Sequence, residues 1–172
     1  MNYRLSIHPL LQYSQLTGQP SLIQWDVRQP PATSVHDSPS GRHRGRLPTE
    51  TLAAFATKPP TAQIIITCGI LPYSHWTATA HNPRGVTVLD VLQSIYNSLR
   101  HPIRWEEWNG IGKSEQDRAS AAFDVRWRNA RDPGYERSRG VRRIDFLTHS
   151  FKFSGLSPSP HRPETLILTL SR

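Results

Sequence analysis

Residues 82–100, Asn-Pro-Arg-Gly-Val-Thr-Val-Leu-Asp-Val-Leu-Gln-Ser-Ile-Tyr-Asn-Ser-Leu-Arg, constrain the fold more than any other stretch of this chain. Val88, Val91, Leu92, Ile95, Tyr96 and Leu99 recur at the spacing of one helical face, with Asp90, Ser94, Asn97 and Ser98 off it. Thr87 stands at the N-cap, where its hydroxyl can take an orphan backbone N–H. Asp90 can complete a capping box and favours the positive end of the helix dipole. Residues 82–85 read as a turn in which Gly85 is free to take a positive φ. Pro102 forbids continuation of the helix. This expected helix organises packing and carries no chemistry.

Around it the chain alternates between patterned segments and loops. Residues 21–28 predict a first strand, with Ile23, Trp25 and Val27 on one face and Gln24, Asp26 and Arg28 on the other. Residues 51–57 predict a turn of helix. Residues 63–68 are apolar without interruption, as in a central strand covered on both faces. Residues 76–80 predict a third strand and residues 104–110 a short helix carrying Trp105 and Trp108. Ser114 caps a second long helix to about Ala130, with Ala119, Ala122, Phe123, Trp127, Ala130 and, in part, Val125 as its apolar side. Residues 131–140 read as polar loop. Residues 141–147 predict a fourth strand, hairpin-paired with a fifth bearing Phe151, Phe153 and Leu156, and residues 165–170 a last one.

The pattern implies an α+β fold, with a mainly antiparallel sheet of about five or six strands packed on two main helices. Two strands followed by a helix opening Gly-Val-Thr-Val-x-Asp-Val-Leu is also how many β-grasp domains begin, an analogy of fold that carries no function. The expected organisation is an N-terminal arm over residues 1–20 and one domain over 21–172. Within the arm His8-Pro9-Leu10-Leu11 is an apolar anchor. The stretch at about 32–48, polar, Gly/Pro/Ser-bearing and basic, is expected to be a mobile loop with almost nothing to bury.

A length of 172 residues is enough to bury a core. The net charge of +8 favours acidic surfaces, and only Lys58, Lys113 and Lys152 among the 21 basic residues are lysine. Arginine is the better bidentate partner for phosphate and carboxylate, although dispersed arginines also follow from codon usage alone. Cys68 is the single cysteine, so no intrachain disulfide forms. The first residues lack the apolar stretch of a signal peptide, and no segment has the apolar length of a membrane helix. The expectation is an intracellular, soluble protein without membrane contact.

Several landmarks occur in order: His8-Pro9-Leu10-Leu11; Trp25-Asp26-Val27-Arg28 with Pro30-Pro31; residues 82–92; Gly140-Val141-Arg142-Arg143-Ile144-Asp145-Phe146-Leu147; and Phe153-Ser154-Gly155-Leu156. With them the chain, from about residue 7 to 170, resembles a family of uncharacterised domains of mushroom-forming fungi (basidiomycetes), a domain of unknown function. The resemblance implies no activity, cofactor or catalytic residues. It implies long extensions ahead of the domain in many relatives, and this chain resembles the bare domain.

Residue chemistry narrows the function. Metal binding needs several His, Cys, Asp or Glu ligands at short spacing. The eight histidines make no such pair at short spacing. No Gly-x-Ser-x-Gly elbow is present, and Cys68 sits where a core thiol would. No cofactor is expected. The sharpest constellation is ionic: Asp26 and Arg28 on the first strand, Arg143 and Asp145 on the fourth. If these strands are neighbours, Asp26 meets Arg143 and Arg28 meets Asp145, a structural quartet that fixes register. The alternative is a polar site in which Asp145 acts as a base and the arginines orient an anion. Candidate anion-binding residues are Arg84, at a helix N-terminus, and Arg137, Arg139 and Arg142 in the densest basic cluster. The leading expectation is a non-catalytic interaction module for a protein or polyanion. The alternatives are nucleic-acid binding through arginines and the five tryptophans, with Arg104, Trp105 and Trp108 as the exposed group, and an enzyme acting on an anionic small molecule.

Overall fold

The structure, a computed structural model, describes residues 5–14, 21–38, 45–162 and 164–172. The capped segment behaves as its sequence requires. Helix α3 (Val88–Leu99) begins at Thr87, whose hydroxyl accepts the Asp90 N–H at 3.1 Å while Asp90 accepts the Thr87 N–H at 2.9 Å. Asn82 donates to the same Asp90 carboxylate at 2.8 Å, tying the turn to the cap. Val88, Val91, Leu92, Ile95 and Leu99 are all buried.

In chain order the shorter elements before α3 are β1 (Ser6–Ile7), β2 (Ile23–Gln24), α1 (Pro31–Ser34), β3 (His36–Asp37), α2 (Thr49–Leu52) and β4 (Thr57–Lys58). They are followed by β5 (Gln63–Cys68) and β6 (Ala78–His81). After α3 come α4 (Trp105–Asn109), α5 (Lys113–Arg128), α6 (Pro133–Ser138), a 3-10 helix (Arg143–Leu147), β7 (Lys152–Pro158) and β8 (Thr165–Ser171). The protein is therefore α+β, but its strands divide into one four-stranded sheet and two small ribbons, β1–β4 and β2–β3. The sheet runs β6-β5-β8-β7: two antiparallel pairs flank a parallel β5–β8 pair. Period-two alternation turns Ile64, Ile66, Ala80, Leu166 and Leu168 inward, where they join the α3 stripe in one core.

Four sequence expectations need correction. The first strand is shorter than expected: it pairs with β3 only at Ile23–Gln24 and bridges Lys152 at Asp26, and there Asp26 Oδ1 accepts the Arg28 N–H at 2.9 Å and closes a turn. Residues 25–27 instead border β7, through Val27 N–H to Phe151 O and Phe153 N–H to Trp25 O, both 2.9 Å. The expected fourth strand is the 3-10 helix. Asp145 accepts the Arg142 N–H at 2.8 Å, and this side-chain bond starts a tight turn that strand pairing cannot accommodate. With that strand gone, β7 pairs with β8. The supposed loop at residues 131–140 contains α6, capped by Asp132 accepting from the Tyr135 N–H and opened by Pro133.

Part of the stretch at 32–48 is ordered by burial: Val35 and Leu47 are in the core, joined by a 3.2 Å backbone hydrogen bond. The mobility expected there otherwise falls on residues 39–44, outside the described residues. Of the arm, residues 1–4 and 15–20 also lie outside them, while Ile7 and Leu11 are buried. Tyr13 N–H donates to Leu156 O at 2.9 Å, and Gly155 has φ +128° with a Cβ position 2.5 Å from the Tyr13 Cα. Gly155→Ala therefore combines backbone strain with a clash against main chain. It is expected to lower stability by about 2 kcal/mol or more, measured by urea denaturation.

Candidate functional site

An open cleft of about 1460 Å³ is formed by α5, α6, the C-terminal part of α3, residues 28–30 and the 3-10 helix. Its floor is an ion-pair network. Arg126, from α5, donates from Nε and Nη2 to the two Asp145 oxygens at 2.8 and 3.0 Å, a bidentate fork. The same guanidinium donates to Glu136 of α6 and, from Nη2, to Gly140 O at 3.0 Å. Arg142 completes the group, with Nη1 3.1 Å from Glu136 Oε2. Arg142 is only 5% exposed, and burial lowers its pKa despite the Glu136 charge. Two arginines and two carboxylates thus neutralise each other at the bottom of the cleft.

The rim is different. Seven arginines and three carboxylates line the cleft, and the floor uses Asp145 and Glu136, while Asp132 caps α6. Among the described residues Arg100, Arg118, Arg131 and Arg172 have no acidic partner; Arg118 bonds Ser114 Oγ and Arg100 stacks on Tyr96 at 4.7 Å. Between them lie apolar groups. Ala121, Ala122 and Val125 project from α5, and Val125 is 62% exposed. The expected apolar side of α5 is thus divided, since Ala119 alone is buried.

The quartet is not assembled as expected. Asp26 pairs with Arg28 itself, whose guanidinium also lies 4.3 Å over the Phe151 ring. Burial raises the Asp26 pKa, but the Arg28 hydrogen bonds and charge outweigh it and hold the carboxyl below its ordinary value. Asp145 pairs with Arg126. Arg143 points elsewhere: Nη1 donates to Ser98 Oγ at 3.0 Å, the guanidinium sits 5.3 Å over the Trp76 ring, and among the described residues its buried Nε has no hydrogen-bond partner. Of the anion-binding candidates, Arg84 lies on the turn before α3, Arg137 and Arg139 stack over Trp127 and Tyr135, and Arg142 is in the floor network.

A second polar cluster surrounds Glu107 of α4. Its carboxylate accepts Trp76 Nε1–H at 2.8 Å, the Arg104 N–H at 3.0 Å and Arg104 Nη2 at 3.2 Å, with His75 Nε2 at 3.3 Å. Burial pushes this carboxyl up, but the four donors together bring its pKa down to about 2. Beside it Trp105 is 71% exposed, whereas Trp108 packs on Phe146.

Sequence patterns missed Arg126, Glu136 and Glu107, since each is defined by partners on other elements. Burial raises the pKa of the Cys68 thiol, and among the described residues no three His, Cys, Asp or Glu are grouped to hold a metal. Among the same residues no helix is long and apolar enough to cross a membrane. No curated protein and no solved structure matches the chain. Residues 23–164, which include every element of the cleft except the arginine at 172, match the model of a family of unknown function (DUF6699), and the chain belongs to that family.

Proposed function

We propose that this domain is a non-catalytic interaction module, working inside the cell, that takes an anionic partner in the arginine-rimmed cleft. The observation that carries the reading is the contrast between floor and rim: the buried arginines are matched by carboxylates, while Arg100, Arg118, Arg131 and Arg172 are not. Unmatched arginines converging on one concavity raise the local potential for anions, since low-dielectric walls focus the field. Asp145, engaged by a bidentate guanidinium and a backbone N–H, serves the fold as a structural carboxylate, and this supports binding over general-base chemistry. Asp26, Arg28 and Arg143 have the same structural role in this reading. Arg137 and Arg139, exposed on α6 and after it, extend the positive surface.

The sheet order, two hairpins about a parallel central pair with α3 between them in sequence, supports the β-grasp analogy of fold, and that analogy supports no activity by itself. Nucleic acid is less well served than an acidic protein. The aromatic faces in the cleft already carry guanidinium groups, Arg28 on Phe151 and Arg100 on Tyr96, which leaves bases little to stack on. The test is titration with polyglutamate and with heparin at rising salt. Binding that weakens steeply with salt, and about tenfold or more on Arg118→Glu with Arg131→Glu, is the expected result. Absence of binding to either anion at low salt would overturn the proposal.

A further inference from the structure

We infer that the cleft is a docking groove for a short acidic peptide segment whose carboxylates alternate with apolar side chains, a refinement that rests on the anionic-partner reading above. The first support is the exposed face of α5. Arg118, Ala121, Ala122, Val125 and Asn129 recur at the spacing of a single helical face, and all five line the cleft. In this helix of 16 residues Ala119 is the one buried residue, and it lies off this face, which stays open to the cleft. Ala121 and Ala122 let another backbone approach closely, and Val125 offers an apolar contact with 62% of its surface open.

Size is the second support. At about 1460 Å³ the cleft exceeds the roughly 300–1,000 Å³ of small-molecule sites, so a polymer segment fits it better than a metabolite. From Arg118 to Arg128, the last residue of α5, the wall runs about 15 Å at about 1.5 Å per residue, and Arg131 stands in the bend just beyond it. An extended segment of about six residues spans the wall and reaches that bend. Its apolar side chains turn towards Ala122 and Val125 on the α5 face, and its carboxylates, pointing the other way, meet Arg100, Arg131 and Arg172 off that face, with Arg118 at one end of the segment.

Charge and apolarity together therefore select the partner: polyglutamate satisfies the rim and leaves the α5 face wet, and an uncharged apolar peptide does the reverse. The full chain is to be titrated by fluorescence anisotropy with three labelled probes: a hexapeptide alternating glutamate and leucine, hexaglutamate, and a single-stranded oligothymidylate. The alternating peptide is expected to bind about tenfold tighter than hexaglutamate. Val125→Ser, neutral and on an exposed helical surface, should weaken the alternating peptide about tenfold and leave hexaglutamate unchanged. Arg118→Gln should weaken both peptides, with far-UV circular dichroism confirming that each variant keeps its helices. Equal affinity for both peptides, insensitive to Val125→Ser, would overturn this inference and leave the anionic-partner reading standing. Tighter binding of oligothymidylate than of the alternating peptide would overturn it in favour of nucleic acid. Failure of all three probes at low salt would overturn both.

Discussion

Arg126→Met is expected to destabilise the protein by about 3–5 kcal/mol, the effect of removing one partner from a buried ion pair. The side chain of Asp145 is 2% exposed, so its carboxylate cannot recover its hydration once the guanidinium is gone, whereas Glu136 keeps Arg142 at 3.1 Å. Gly140 O loses its donor in the same step. Arg126→Lys restores the charge but not the planar fork that reaches both Asp145 oxygens, so it should recover only part of the loss. Adding Asp145→Asn to Arg126→Met should recover part as well, because the stranded carboxylate charge is then absent while Glu136 and Arg142 stay paired. Urea midpoints with unchanged m-values measure each variant. A loss below about 1 kcal/mol for Arg126→Met would mean that the network behaves as a solvated surface pair.

The same network explains where sequence reading stopped. Helix α3 is legible because its cap, its stripe and its stop all lie within one contiguous stretch, so local chemistry suffices. Helix α5 is legible in extent, Lys113–Arg128 against the expected Ser114 to about Ala130, but not in facing. Val125 and Ala122 look like core residues, and only the placement of α6 and the 3-10 helix turns them to the cleft. Ile144 and Phe146 alternate as they would in a strand. What decides against it is Asp145, held by Arg126 from another element and by the Arg142 N–H. Neither the partner of Asp145 nor the parallel β5–β8 pairing leaves a local trace, since each joins segments far apart in sequence. Candidate site residues were therefore legible as a concentration of arginine and not as a constellation. Asp26 pairs with Arg28, a member of the expected quartet, whereas Asp145 pairs with Arg126 from outside it.

Glu107→Gln is expected to flatten the acid side of the stability profile. The folded carboxyl has a pKa of about 2 against an ordinary 4.5, so between these values the unfolded chain binds a proton that the folded chain does not. Stability from this group is therefore fully present above the ordinary value and is lost as pH falls towards the folded one. With solvent screening at the edge of the site allowed for, this contributes on the order of 1–2 kcal/mol at neutral pH. In Glu107→Gln that contribution is gone at every pH, and the neutral amide brings N–H groups towards donors at Trp76, Arg104 and His75. Urea midpoints from pH 7 down to pH 2 should show wild type losing stability steeply below about pH 4.5, with the variant starting lower and sloping less. Trp76→Phe should reduce the same slope more than Arg104→Ala, because the indole donor is buried and the Arg104 side chain is 72% exposed. A Glu107→Gln profile parallel to wild type would mean that other carboxylates govern the acid limb. That outcome would leave the Trp76–Glu107 contact as packing alone.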